Sequence, residues 1–163
     1  MLRFNEVIAE AGGDDPRAWR AAQRRDGVLT LTFDERRKSR LLATLDDGRE
    51  VALMLSRGTI LRHGDHLRGD SGMVIEVRAA AESLSIAATN DANLLTRAAY
   101  HLGNRHVPVE VGAGWLAYAH DHVLDDMVRG LGLDVSSRVA PFEPEAGAFS
   151  GHDSDDADHP HGA

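Results

Sequence analysis

The strongest constraint on how this chain can fold is a switch in apolar period that occurs twice, in the same order, between Ser83 and Ala140. Residues 83–87 alternate apolar and polar, as a half-buried strand does. Asn90 or Asp91 then offers a helix cap, and Leu95, Ala98, Ala99 and Leu102 fall at i, i+3, i+4 and i+7 to make one apolar face. Gly103 supplies a stop and Asn104 follows in the turn. Residues 105–111 alternate again, Gly112-Ala113-Gly114 turns the chain, and residues 115–119 return as a third strand. Asp121 is placed to cap a second helix, with Val123, Leu124, Met127, Val128 and Leu131 on one side, Asp125, Asp126 and Arg129 opposite, and Gly130 and Gly132 at its end. Residues 135–140 form a fourth strand. The order β-α-β-β-α-β is the split βαβ, or ferredoxin-like, arrangement.

Upstream the pattern is all-β. Residues 27–33 alternate, and residues 41–45 and 50–55 flank Asp46-Asp47-Gly48, a turn that favours positive φ at its glycine. Residues 73–77 are the last strand, with 78–81 a linker or a strand extension. This spacing suggests a small sandwich or barrel. The charged stretch 34–40 reads as a turn, and its basic run 36–40 is either solvated or a docking patch. The expected organisation is therefore α+β: an N-terminal β domain over 1–80, a ferredoxin-like domain over 81–147, and a tail over 148–163. From Gly151 onward the tail contains no large apolar residue, so it is expected to be disordered.

Hydrophobic residues are 42% of the chain and aromatics only 5%, so the core must be mostly aliphatic. No apolar run reaches the 18 or so residues of a membrane span, and the start, Met1-Leu2-Arg3-Phe4-Asn5-Glu6, lacks the apolar stretch of a signal peptide. The absence of cysteine excludes disulfides, thiolate nucleophiles and cysteine-ligated zinc. These features read as a cytoplasmic protein with no membrane partner. A net charge of −8 disfavours nucleic acid. No G-x-S-x-G, P-loop, H-E-x-x-H or dinucleotide motif is present, and adjacent Asp125 and Asp126 make a poor acid–base pair, so no catalysis is expected. Glu143 and Glu145 sit on an irregular, proline-interrupted segment.

The unusual feature is nine histidines, four of them between His101 and His122 and three in the last 12 residues. In strand 105–111, Val107, Val109 and Val111 share the expected core face, which leaves His106, Pro108 and Glu110 on the other. Proline cannot donate to a ladder, so this strand belongs at or near a sheet edge. His106 is then open to a metal ion or a second subunit, or is an ordinary exposed histidine. His120 and His122 flank Asp121 at a strand–helix junction, where i and i+2 can face one way; they are a ligand pair or a solvated pair. His101 reads as structural or as a supporting partner, and His63 and His66 as solvated turn residues. In the tail, His152, His159 and His161 alternate with aspartates, a composition that binds borderline divalent ions weakly.

Tyr100-His101-Leu102-Gly103-Asn104-Arg105-His106-Val107-Pro108-Val109, then His120-Asp121-His122-Val123-Leu124-Asp125-Asp126-Met127, then Pro141-Phe142-Glu143-Pro144-Glu145-Ala146-Gly147-Ala148, closely resemble the UreE family of urease accessory proteins, which are nickel metallochaperones. The resemblance covers nearly the whole chain. It implies a homodimer that binds Ni2+ and delivers it to the urease assembly apparatus, with the urease GTPase, other accessory proteins and apo-urease as partners. It also implies that His106 from two subunits meets at the dimer interface to hold nickel. By the same resemblance His120 and His122 form more peripheral sites, the tail histidines add ligands, and the N-terminal domain is like a peptide-binding module. Zn2+, Cu2+ and Co2+ suit the same donors and would compete. The short, aspartate-diluted tail departs from strongly histidine-rich members. Two other readings remain: a metal-free interaction module, and a metal-dependent hydrolase, for which no strong candidate base is present.

Overall fold

Ten strands and three helices lie within the part of the chain that the computed structural model describes, residues 1–9, Gln23 and 25–147. The strands are β1 (Leu2–Ala9), β2 (Gly27–Leu31), β3 (Arg40–Thr44), β4 (Glu50–Met54), β5 (His66–Gly69), β6 (Val74–Ala79), β7 (Ala81–Ala88), β8 (Glu110–Gly112), β9 (Trp115–Ala119) and β10 (Asp134–Pro141). The helices are α1 (Phe33–Arg36), α2 (Ala92–Asn104) and α3 (His122–Leu131). They divide between a six-stranded sheet, β2-β6-β5-β1-β4-β3, and a four-stranded sheet, β10-β7-β9-β8. The fold is α+β.

The first sheet closes over an aliphatic core of Leu29, Leu31, Leu45, Val51, Leu53, Leu61, Leu67, Ile75 and Val77 with one aromatic, Phe4. Residues 46–48 turn as expected, with Gly48 at φ +92 joining the antiparallel pair β3–β4. The topology is richer than a chain of hairpins, because β1 pairs β4 and β2 pairs β6 in parallel. β1 and β5 were not among the expected strands. The alternation of β1 is broken by register shifts at Phe4/Glu6 and Val7/Ala9, and β5 is only four residues long, with polar His66 and Arg68 between its buried positions.

The expected charged turn at 34–40 begins instead as a helical turn. Thr32 and Glu35 form a reciprocal capping box, a T-x-x-E signature that winds α1. This winding corrects the reading of the basic run as solvated at one position: Arg36 is completely buried, whereas Arg37, Lys38 and Arg40 are exposed. Its guanidinium donates to the Leu61 carbonyl at 3.1 Å, to the Phe142 carbonyl, and to Glu143 in an ion pair. Phe33 meets Phe142 edge to face at 5.6 Å, and Leu84 completes this small cluster between the sheets. Further contacts are Phe33 N–H to Glu82 at 2.8 Å and Arg62 to the Pro144 carbonyl at 2.6 Å.

In the second sheet every neighbouring pair is antiparallel. Numbered within the β-α-β-β-α-β unit, its strand order is 4-1-3-2, the ferredoxin-like order expected from the sequence. Helices α2 and α3 cover one face, packing Ala98, Leu102 and Val128 onto Ala87, Leu116, Tyr118 and Leu133. Asp91 and Asp121 cap the two helices, each accepting two backbone N–H bonds, and Gly132 ends α3 at φ +104.

Candidate functional site: the histidines around helices α2 and α3

His106 does not lie on a strand. The ladder begins only at Glu110, on β8, the edge strand of its sheet. Helix α2 runs through Gly103 to Asn104, and Arg105 is its C-cap. The residue that ends it in the left-handed region is His106, at φ +57. His106 N–H bonds the Gly103 carbonyl at 2.9 Å and Val107 N–H reaches the Leu102 carbonyl at 3.2 Å, the paired bonds of a Schellman motif. Those amides are spent on the helix end, and Pro108 has none to give, so strand pairing cannot start earlier. Val107 and Val109 still pack inward, whereas Val111 is half exposed. Histidine occupies a position usually held by glycine, and its imidazole is exposed.

On α2 itself, Tyr100 is 66% exposed and its ring lies against the ring of half-buried His101. A Cβ added to Gly103, on the same helical face, would meet no atom within 4 Å. The chain after β10 returns to this corner: Glu143 N–H donates to the Glu110 carboxylate at 3.0 Å, and Glu145 N–H to the Val109 carbonyl at 2.8 Å. Residues 143–145 thus run alongside 110–109.

Asp121 separates two exposed histidines and accepts N–H bonds from Val123 at 2.8 Å and Leu124 at 3.1 Å. Those two bonds, aided by the neighbouring imidazoles, hold its carboxyl below the usual range. It is a helix cap first. His122 opens α3 with its ring unsupported by any side chain among the described residues. His120 is held differently. Its Nδ1 lies 3.0 Å from Ser85 Oγ and 3.4 Å from Asp125 Oδ2. Asp125 in turn accepts a 2.9 Å hydrogen bond from the Tyr118 hydroxyl.

Asp125 corrects the expectation of a polar helix side. It is 97% buried against the sheet, three residues before buried Val128. Sequence did carry a signal for it: Tyr118 alternates with Leu116 toward the helices, and a buried phenol needs a partner. Burial and then the nearby carboxylate push the Tyr118 hydroxyl well above its ordinary range, so it stays a proton donor. His63 is exposed and its Nδ1 accepts the Ala79 N–H at 3.3 Å, whereas His66 is a half-buried residue of β5 rather than part of a turn. His152, His159 and His161 lie outside the described residues. Among the described residues, no three His, Asp or Glu side chains are grouped so as to hold an ion.

The family model for the UreE urease accessory protein C-terminal domain matches residues 74–163, and that for the N-terminal domain matches residues 4–80. The chain belongs to the UreE family. The urease accessory protein UreE of Alkalilimnicola ehrlichii is 61% identical over 126 residues, 77% of each chain. That of Pseudomonas putida (strain W619) is 59% identical over 124 residues, 76% of this chain and 77% of the other. UreE of Vibrio parahaemolyticus is 49% identical over 152 residues, 93% of this chain and 92% of its own. The two-domain architecture of the UreE family thus spans both sheets. No helix among the described residues is long and apolar enough to cross a membrane.

Proposed function

We propose that this protein is a nickel metallochaperone for urease maturation, a cytoplasmic homodimer that carries Ni2+ to the urease GTPase, its fellow accessory proteins and apo-urease, and catalyses no reaction itself. Residues 1–80 and 81–147 are its two working units, with the tail over 148–163 as an accessory ligand source. The observation that carries the reading is the geometry of His106, an exposed residue whose backbone is fixed by the turn that ends α2. One imidazole binds a divalent ion weakly. Two copies related by a twofold axis bring both ligands to one point, and the second then binds as if at high local concentration.

The exposed face of α2 that carries Tyr100 and Gly103 leaves room for close approach of a second copy. The path of residues 142–147 past Val109 gives His152, His159 and His161 a route to the same ion. His120 and His122 then make outlying stations. Nitrogen and oxygen donors avoid the firm grip of thiolates on softer metals, and an open site releases its cargo where a closed structural one does not. The membership of the chain in a family of urease accessory proteins supports urease as the destination.

The test is calorimetric titration of Ni2+ into the full chain and into His106→Ala, with the oligomeric state measured by light scattering. Loss of the tightest step, at one ion per two chains, is expected. Unchanged stoichiometry and affinity in the variant would overturn the proposal.

A further inference from the structure

His120 and His122 are two residues apart and both exposed, yet among the described residues only His120 is backed by buried polar side chains. The Tyr118 hydroxyl donates to Asp125 Oδ1, which commits its proton. Ser85 pairs with Tyr118 across β7 and β9 and is fully buried. A hydroxyl serves as donor or acceptor, whereas Asp125, as a carboxylate, only accepts. The Nδ1 of His120 faces Ser85 Oγ at 3.0 Å, a hydroxyl of either role, and Asp125 Oδ2 at 3.4 Å, an obligatory acceptor. The carboxylate favours a proton on Nδ1, with the Ser85 hydroxyl turned to accept, and the lone pair of the neutral ring is then on Nε2. With Nδ1 engaged by buried groups and the His120 side chain 45% exposed, the open edge of the ring is the one that carries Nε2.

We infer that Asp125 is the positioning residue of His120: anchored by Tyr118 beneath α3, it fixes the Nδ1–H tautomer and presents Nε2 to solvent as a preset ligand for a borderline divalent cation. A carboxylate behind an imidazole is a common way of orienting a metal ligand and raising its basicity. The cost of burying Asp125 is offset by the phenol bond it accepts and by the imidazole 3.4 Å away. The rings of His122 and His106 have no such carboxylate behind them among the described residues. The inference rests on the proposed carrier reading for the identity of the cargo, but the tautomer does not depend on metal.

The experiment uses the full chain labelled with 15N, at about pH 8, where an ordinary imidazole is neutral. Long-range 1H–15N spectra of the metal-free protein report which ring nitrogen carries the proton, and His120→Ala assigns the signals. Wild type should show the Nδ1–H form. Asp125→Asn keeps the shape and the Tyr118 contact but turns an amide donor toward Nδ1, so it should convert His120 to the Nε2–H form. It should also weaken His120-dependent binding of Ni2+ by about 10–100-fold. Ser85→Ala and Tyr118→Phe retain the carboxylate and should retain the tautomer. An Nε2–H form in wild type, or an unchanged tautomer in Asp125→Asn, would overturn the inference. Conversion of the tautomer with Ni2+ binding at full strength would overturn it too, while leaving the carrier reading in place. Wild-type Ni2+ binding in His120→Ala would remove His120 from the ligand set and overturn the inference whatever the tautomer.

Discussion

Replacing Arg36 with methionine is the sharpest test of what joins the two sheets. The guanidinium is completely buried and bonds the carbonyls of Leu61 and Phe142, both on buried residues, as well as Glu143. Methionine fills most of the stem volume but donates nothing. Two buried carbonyls are left without a donor, at about 1–3 kcal/mol each. The loss of Glu143 adds little, because that side chain is 32% exposed and rehydrates. Against this, the buried Nε of Arg36 has no partner, and its removal recovers part of the loss. A net destabilisation of about 2–4 kcal/mol follows, a large fraction of a typical domain's stability of about 5–15 kcal/mol. Urea unfolding followed by circular dichroism measures it, and amide exchange should show residues 142–145 opening first. Glu143→Gln, which leaves both carbonyl bonds in place, should lose less than about 1 kcal/mol. If Arg36→Met came within about 0.5 kcal/mol of wild type, or if the two variants lost equal amounts, the assignment of the clamp to the carbonyl bonds would be wrong.

Two further outcomes follow from the helix ends. His106→Gly removes a side chain from a left-handed backbone position at φ +57, so the protein should gain about 0.5–1 kcal/mol of stability by thermal unfolding while losing its tightest Ni2+ site. Asp121 has a depressed pKa in the folded state through its bonds to Leu124 and Val123; its stabilisation is therefore full above the unfolded carboxyl value and is lost as pH falls through the folded one. Asp121→Asn keeps the cap without the titration, and acid unfolding curves should show a shallower fall below about pH 4 than wild type.

Period and capping made the second sheet legible. The spacing of Leu95, Ala98 and Leu102, the caps at Asp91 and Asp121, and the stop at Gly132 all point to one topology, and the strand order agrees. The first sheet was half legible. Its hairpin at Gly48 shows in the turn chemistry, but parallel pairings such as β1 with β4 join distant segments and leave no local trace. Arg36 and Asp125 were misjudged for one reason. A charged residue reads as exposed unless its partners are known, and these partners are 107 residues away for one and on another element for the other. The exposure of His106 was legible and its backbone was not, because Gly103 offered itself as the helix stop three residues before the position that needed one.

His106 and His122 also sit at opposite poles of their helices. His106 follows the carbonyl end of α2, and His122 opens the amide end of α3. Aligned peptide dipoles place roughly half a negative charge at the first and half a positive charge at the second, worth about 0.3–1 kcal/mol to an ion at a surface position. A dication is drawn toward the one and discouraged from settling at the other, apart from what the Asp121 carboxylate restores. On the carrier reading proposed above, the two helix ends by themselves favour a dication at His106 over one at His122.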